Sequence, residues 1–320
     1  MRILVTGGAG FQGSHLAEAL LAVGHQVTVL NTLSSAAKRN TRRLQADSRA
    51  DVVFGSVTDA ELTAKTVPEH EVVFHLAANV NVDKSLSDPK SFLDTNVMGT
   101  YNILEAARRS GSRVVYASTC EVYGDGQDLG ADELLDETAE LMPNSPYGAS
   151  KAAADRLCYS YFRSYDMDIT VVRPFNIFGE RQKSGAFGAL IPILVRQAMA
   201  GRDLTVFGEG TATRDYLHVS DVVRAYLLVL DNPELKGRAI NFASGINTSV
   251  RDIAEYIAAK FQVDVVRGPA RPGEVARYPA DIQLARSIGF APQVEIWTGI
   301  DRYVDWAISQ SDNEIELAAT

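Results

Sequence analysis

The chain of 320 residues has little cysteine and little histidine. Cys120 and Cys158 are the only cysteines, too few for a disulfide framework, so a reducing, cytoplasmic setting is expected. The five histidines show no ligand spacing such as H-E-x-x-H, and no metal site is expected. No apolar stretch reaches the roughly 18 residues of a membrane span. The opening "MRILVTGGAG" meets glycine too early for a signal peptide and reads as a strand. Positive charge is also in short supply: 31 Lys and Arg against 40 Asp and Glu give a net charge of −9. Nucleic acid and anionic membranes are therefore not expected partners, whereas a single anionic metabolite held by a few local arginines is compatible with this balance.

What is present is a sizeable apolar fraction, 46%, enough for a large core. At roughly 150 residues per domain, the length suits one large domain or two intimately joined ones. Short Val- and Ile-rich runs at 2–6, 27–30, 51–54, 72–77, 113–118 and 169–174 have the continuous apolar character of parallel strands covered on both faces. Amphipathic segments such as 14–24 and 95–111 lie between them. This rhythm predicts an α/β fold: a Rossmann-like doubly wound parallel sheet over 1–175, with a smaller C-terminal α/β substrate-binding cap over 176–320. The cap is expected to return to the sheet through a segment near 214–243. Helices are expected at 186–200, 220–231 and 249–260, and strands at 204–207 and 239–243. Residues 125–140 carry seven acids and read as a solvated insertion. The tail from Ser311 is expected to fray.

"TGGAGFQG" at 6–13 sits between the first strand and the first helix, with Gly7, Gly10 and Gly13 spaced G-x-x-G-x-x-G. Missing side chains let the backbone approach a pyrophosphate, and the helix N-terminus offers N–H groups and a favourable dipole. Dinucleotide binding follows from that placement. The acid expected to hold the adenosine ribose is replaced by Asn31, 18 residues after Gly13. An amide can hydrogen-bond ribose but does not repel a 2′-phosphate. NAD is the favoured cofactor, and Lys38, Arg39, Arg42 and Arg43 keep NADP open unless they form a solvated helix face.

"YGASK" places Tyr147 and Lys151 four apart on one helix face. A neighbouring ammonium favours phenolate, and a phenolate beside a nicotinamide can take a proton from an alcohol as hydride leaves the same carbon.

With "HLAA" at 75–78, "NVMGTYNILEAA" at 96–107, "STCEVYG" at 118–124, "SPYGASK" at 145–151, "RPFNIFG" at 173–179, "TRDYLHVSD" at 213–221 and "RPGEVARY" at 271–278, about residues 1–290 resemble the extended short-chain dehydrogenase/reductase family, in its nucleotide-sugar epimerase and dehydratase branch. The resemblance implies an NAD enzyme acting on a nucleotide-diphosphate sugar, with a UDP-sugar favoured, and a homodimer built from helices near 95–110 and 147–164. It makes Thr119 the hydroxyl on the reacting sugar oxygen, Tyr147 the base and Lys151 its partner. It puts Gly7, Gly10, Phe11, Gln12, Gly13, Asn31, Ser35, Ser56, Val57, Leu76, Ala77, Ala78, Asn96, Ala117, Tyr147, Lys151, Pro174 and Ile177 at the cofactor. The family commonly has Asp where Ser56 stands. Lys84, Thr119, Asn176, Leu190, Val206, Arg214, Arg271 and Glu274 would meet the substrate, the arginines as guanidinium forks for two phosphates.

The triplet Thr119-Cys120-Glu121 separates the branches. After Thr or Ser, 4,6-dehydratases typically carry Asp and then Glu, whereas simple 4-epimerases usually carry no acid–base groups there. Oxidation at C4 acidifies the C5 proton, which a carboxylate can remove while the C6 hydroxyl leaves with acid help. Cys120 stands in place of the Asp, either as a thiol donor or as a small buried filler. The triplet most resembles UDP-N-acetylglucosamine 5,6-dehydratases of tunicamycin-type antibiotic biosynthesis, which leave an exocyclic 5,6-ene. The alternatives are a 4-epimerase, a 4,6-dehydratase, a UDP-glucuronate decarboxylase-like enzyme and, outside catalysis, a dinucleotide-binding regulator.

Overall fold

The computed structural model describes residues 1–124, 133–183, 188–270 and 277–318, without side chains at 35–36 and from 311 onward. Seven parallel strands form the main sheet: β1 (Arg2–Thr6), β2 (Gln26–Asn31), β3 (Ala50–Phe54), β4 (Val72–His75), β5 (Arg113–Ala117), β6 (Ile169–Pro174) and a late strand from Ala239 to Phe242. Taken in chain order, the elements before that late strand are β7 (Asn176–Phe178), β8 (Leu204–Phe207) and β9 (Thr213–His218), which makes it β10. β11 (Asn247–Ser249) and β12 (Val265–Gly268) follow. The sheet order is β10-β6-β5-β4-β1-β2-β3, every pairing parallel.

The apolar runs alternate between faces. Ile3, Val5, Phe74 and Val115 join one core with Leu16 and Leu20 of helix Phe11–Ala22 and Tyr226 of helix Val219–Asp231. Leu4, Val73, Val114 and Tyr116 join the other with Ile103 of helix Gly99–Ser110 and Ala154 and Cys158 of helix Pro146–Tyr165. Both faces are covered, which is why the strands read as unbroken apolar runs. A third core, with Leu194, Val206, Ile253 and Tyr303, holds the C-terminal part. There β11, β9 and β7 form one small sheet and β12 and β8 another. Within 214–243, the helix Val219–Asp231 and β10 meet the main sheet, while β9 pairs with β7 and β11.

Three expectations need correction. The helix expected from 95 begins with a π-turn, Leu93–Met98, before regular helix from Gly99. The described part of the acidic insertion is not merely solvated. Leu135 is buried and bridges Ala280, and Glu137 accepts the Asn241 N–H through Oε1 at 2.8 Å. Residues 125–132 of that insertion lie outside the described residues. The tail is helical as far as Ala318, within helix Ile296–Ala318. No helix among the described residues is long and apolar enough to cross a membrane.

Helix Pro146–Tyr165 starts with Pro at its first position and Ser145 as N-cap, its Oγ accepting the Gly148 N–H at 3.0 Å. Its hold on the sheet is ionic. Arg173, 1% exposed on β6, donates from Nε to Asp155 Oδ2 at 2.9 Å and from Nη2 to Oδ1 at 3.0 Å. Asp155 is fully buried and also accepts from Ser118 Oγ at 2.9 Å. Arg173 Nη1 donates to Tyr123 Oη, which donates to Asn241 Oδ1. Burial pushes the Asp155 carboxyl up, and the guanidinium groups of Arg173 and, less, of half-exposed Arg156, which donates to Asp155 Oδ1 at 2.6 Å, overcome this and hold it below the usual carboxylate range. Replacing one partner of such a pair leaves an uncompensated buried charge. Asp155→Ala should therefore lose about 3–5 kcal/mol of stability by thermal or urea unfolding. The double variant Asp155→Leu/Arg173→Met, which removes both charges, should recover most of that loss.

Candidate active site

The carboxyl ends of the parallel strands open into one cleft of about 2720 Å³. That is several times the roughly 300–1,000 Å³ of a single-ligand pocket, and it has room for two ligands. Gly7, at φ +71°, leads the loop after β1, and a Cβ there would come within 2.8 Å of the Ala77 nitrogen. A Cβ on Gly13 would strike the Gly7 carbonyl, so helix and loop meet only without side chains. The first turn of helix Phe11–Ala22 carries neither side-chain cap nor acid, and Gly10, Phe11 and Gln12 line the cleft. Unclaimed N–H groups and the helix dipole therefore face a space suited to a pyrophosphate. The chain's residues fit a dinucleotide here.

Asn31, Ser56, Val57, Leu76, Ala77, Ala78, Ala117 and Ile177 also line the cleft. The Asn31 amide is turned to backbone: Oδ1 accepts the Ala9 N–H at 3.3 Å and Nδ2 donates to the Thr32 carbonyl at 2.8 Å. The side chain of Ser35 lies outside the described residues. Its neighbour Ser34 caps the following helix by accepting the Ala37 N–H. Asn96 stands behind the wall. Its Oδ1 accepts the Asn79 N–H at 2.7 Å, and its Nδ2 donates to the Asn79 carbonyl and to Ser150 Oγ, which in turn donates to the Tyr147 carbonyl. Asn96 thus braces the cofactor wall against the helix carrying Tyr147. Pro174 is buried at the end of β6, away from the cleft surface.

The end of β5 delivers Ser118 and Glu121 to the cleft, opposite Tyr147 and Lys151. Thr119, between Ser118 and Glu121 in sequence, is half-buried, and its Oγ1 accepts the Glu121 N–H at 3.3 Å. Tyr147 and Lys151 do not form the expected direct pair. Lys151, 3% exposed, donates from Nζ to the Ala117 carbonyl at 2.5 Å and lies 4.4 Å from the Tyr116 ring centroid. Burial pushes its ammonium down to about 7. Burial, then the Glu121 charge, pushes the Tyr147 phenol up.

Cys120 is 2% exposed and packs in the core of the main sheet, off the cleft wall, and burial followed by the Glu121 charge holds its thiol protonated. The short 3₁₀ turn Cys120–Tyr123 sends residue 121 outward and residue 120 inward. Burial also raises the Glu121 carboxyl, opposed by Arg214 and by Tyr278.

Of the expected substrate residues, Asn176, Leu190 and Arg214 line the cleft. Val206 is instead packed in the C-terminal core, and Lys84 lies exposed on helix Val82–Ser87, off the cleft wall. Arg271 and Glu274 lie outside the described residues. Tyr278 was not anticipated. It is 1% exposed, donates to Glu121 Oε2 at 3.4 Å, and carries the Arg214 guanidinium 5.2 Å over its ring. Nothing local at 278 marks this role, because its partners lie 157 positions away for Glu121 and in β9 for Arg214.

The profile of the family described as NAD dependent epimerase/dehydratase matches residues 3–243. The chain is 39% identical over 321 residues to the dTDP-glucose 4,6-dehydratase of Streptomyces niveus, covering 96% of this chain and 92% of that one. It is 35% identical over 317 residues to the UDP-glucose 4-epimerase of Mycolicibacterium smegmatis, covering 97% and 100%. Among solved structures, the dTDP-glucose 4,6-dehydratase of Streptomyces venezuelae with NAD bound is similar, with a TM-score of 0.87 at 33% identity and 97% of both chains covered.

The buried Lys151 makes a stability prediction. Its folded pKa lies below that of a free lysine, so the cost of burying the ammonium is full below about pH 7 and fades as the pH rises toward that of a free lysine. Lys151→Met, which removes that cost, should raise the melting temperature of the dinucleotide-free protein by roughly 5 °C at pH 6. The gain should shrink steadily in scans up to about pH 10.

Proposed function

The chain belongs to the NAD-dependent epimerase/dehydratase family, and within it we propose that it is a dehydratase of a nucleotide-diphosphate sugar, taking UDP-N-acetylglucosamine to a 5,6-ene. The observation that carries the reading is the Glu121 carboxyl on the cleft wall, beside Tyr147 and held by Tyr278. Redox at C4 alone needs no carboxylate at that point, whereas loss of the C5 proton does.

The glycine loop and the wall from Leu76 to Ala78 would hold NAD, which would supply reversible hydride exchange at C4. The rest falls to the chain. Tyr147 takes the O4 proton, and the Thr119 hydroxyl hydrogen-bonds O4. Lys151 stands one helical turn from Tyr147, anchored on the Ala117 carbonyl, and in its ammonium form would favour the phenolate. Glu121 removes the C5 proton once C4 is a ketone. Its carboxyl, raised by burial, is basic enough to accept that proton and acidic enough to pass it to the departing O6 as the C6–O bond breaks, releasing water. The proton on Tyr147 returns to O4 as hydride returns to C4. Cys120, a protonated thiol in the core, takes no part. Asn176 and Arg214 on the cleft wall suit a diphosphate. A homodimer through helices Gly99–Ser110 and Pro146–Tyr165, whose Tyr101, Tyr159 and Tyr165 are exposed, belongs to the same reading and can be tested by sedimentation.

A 4-epimerase is the second reading, favoured by the absence of a second acid from the cleft wall at position 120. The readings part in proton NMR of the protein incubated with UDP-N-acetylglucosamine. A 5,6-dehydratase gives exocyclic vinyl signals, a 4,6-dehydratase gives a C6 methyl group, and a 4-epimerase gives neither. Glu121→Gln should slow elimination by about 10²–10⁴-fold, while Cys120→Ala should change it by less than about tenfold. Because the Tyr278 hydrogen bond favours ionised Glu121, Tyr278→Phe should move the acid limb of the rate profile to higher pH.

A further inference from the structure

We propose that the adenosine end of the cleft accepts a 2′-phosphate, so that the chain binds NADP⁺ as well as NAD⁺. The inference rests on the cofactor assignment and on four observations at the end of β2. First, the position where an acid would repel such a phosphate is Asn31, which is neutral. Second, its amide is committed to the glycine loop and to the Thr32 carbonyl rather than to the cleft. Third, Arg39, Arg42 and Arg43 all line the cleft at this end. None of the three has an ion pair among the described residues, whereas Arg49 and Arg108 are paired with Asp47 and Glu105. The carboxylates lining the cleft, Glu18, Asp83, Glu121 and Glu180, come from other elements.

The fourth observation is that the helix carrying Arg39 and leading into Arg42 and Arg43 is tied to the loop. Asn40 Nδ2 donates to the Ala9 carbonyl at 2.9 Å while Asn31 Oδ1 accepts the Ala9 N–H. Ala9 is thus gripped through both its polar groups, and the helix Ser35–Thr41 is docked against the pyrophosphate-binding turn. The three arginines are exposed to the cleft and solvent, and guanidinium groups match a phosphate in charge and hydrogen-bond geometry. An aspartate at 31 could accept the same Ala9 N–H, so Asn31→Asp changes the charge while sparing that contact.

The test is calorimetric titration of the full chain, freed of nucleotide, with NAD⁺ and with NADP⁺ at low and moderate salt. The expected result is NADP⁺ affinity within about tenfold of NAD⁺ and a steeper loss of NADP⁺ binding with salt. Asn31→Asp and Arg39→Ala/Arg43→Ala should each shift the ratio of the two affinities toward NAD⁺ by about tenfold or more. NAD⁺ binding accompanied by NADP⁺ binding more than about tenfold weaker overturns the proposal. So does a ratio that the variants leave unchanged. Failure of both dinucleotides would overturn the cofactor assignment itself, and the two failures are therefore distinguishable.

Discussion

The site depends first on the buried pairing of Arg173 with Asp155. Two charges in a dry interior bring little net stability, because desolvation offsets most of their attraction. What they bring is direction. The bidentate geometry fixes one rotation and one depth for the helix carrying Tyr147 and Lys151, because Asp155 lies one turn beyond Lys151 on that helix. Ser118, just ahead of Thr119, closes on the same carboxylate, and Tyr123, just after Glu121, closes on the same guanidinium. The strand end that carries the hydroxyl and the carboxylate is therefore clamped at both sides to the helix that carries the phenol and the ammonium.

Around that clamp the reacting groups sit in low dielectric, and burial moves each toward its neutral form: the lysine down, the phenol and the carboxylate up. Among the described residues no salt bridge joins any of the three to an opposite charge. Lys151 rests on a carbonyl and an aromatic face, and Glu121 on a tyrosine hydroxyl. The carboxylate and the lysine are thereby shifted toward neutral pH, where proton exchange with a substrate costs least, whereas the phenol needs a positive charge beside it to give up its proton. In the proposed dehydration the roles divide by position, with redox chemistry on the Tyr147 side and C5 proton removal on the Glu121 side.

The strands, the glycine turn and the Tyr147/Lys151 face were legible because each is written in adjacent or periodic residues. Glu121 was legible as a residue but not as a posture, since the 3₁₀ turn that sends it to the cleft and Cys120 into the core has no periodic signature. The postures of Asn96 and Val206 are illegible for the same reason: each has the right type for a wall, and the backbone directs Asn96 to Asn79 and Ser150 behind the wall and Val206 into the C-terminal core. Tyr278 and the clamp depend on partners far along the chain, and spacing carries no trace of them. The acidic stretch misled through its charge, because Leu135 and Glu137 anchor it to β10 and its surroundings beneath an acidic surface.

The central claim is that Glu121 turns C4 oxidation into elimination. Mass spectrometry of the nucleotide sugar recovered after incubation with UDP-N-acetylglucosamine tests it most directly. The account predicts a product lighter than the substrate by one water, formed by the wild-type chain and nearly absent with Glu121→Gln. A converted sugar of unchanged mass, formed equally well by both proteins, would contradict it.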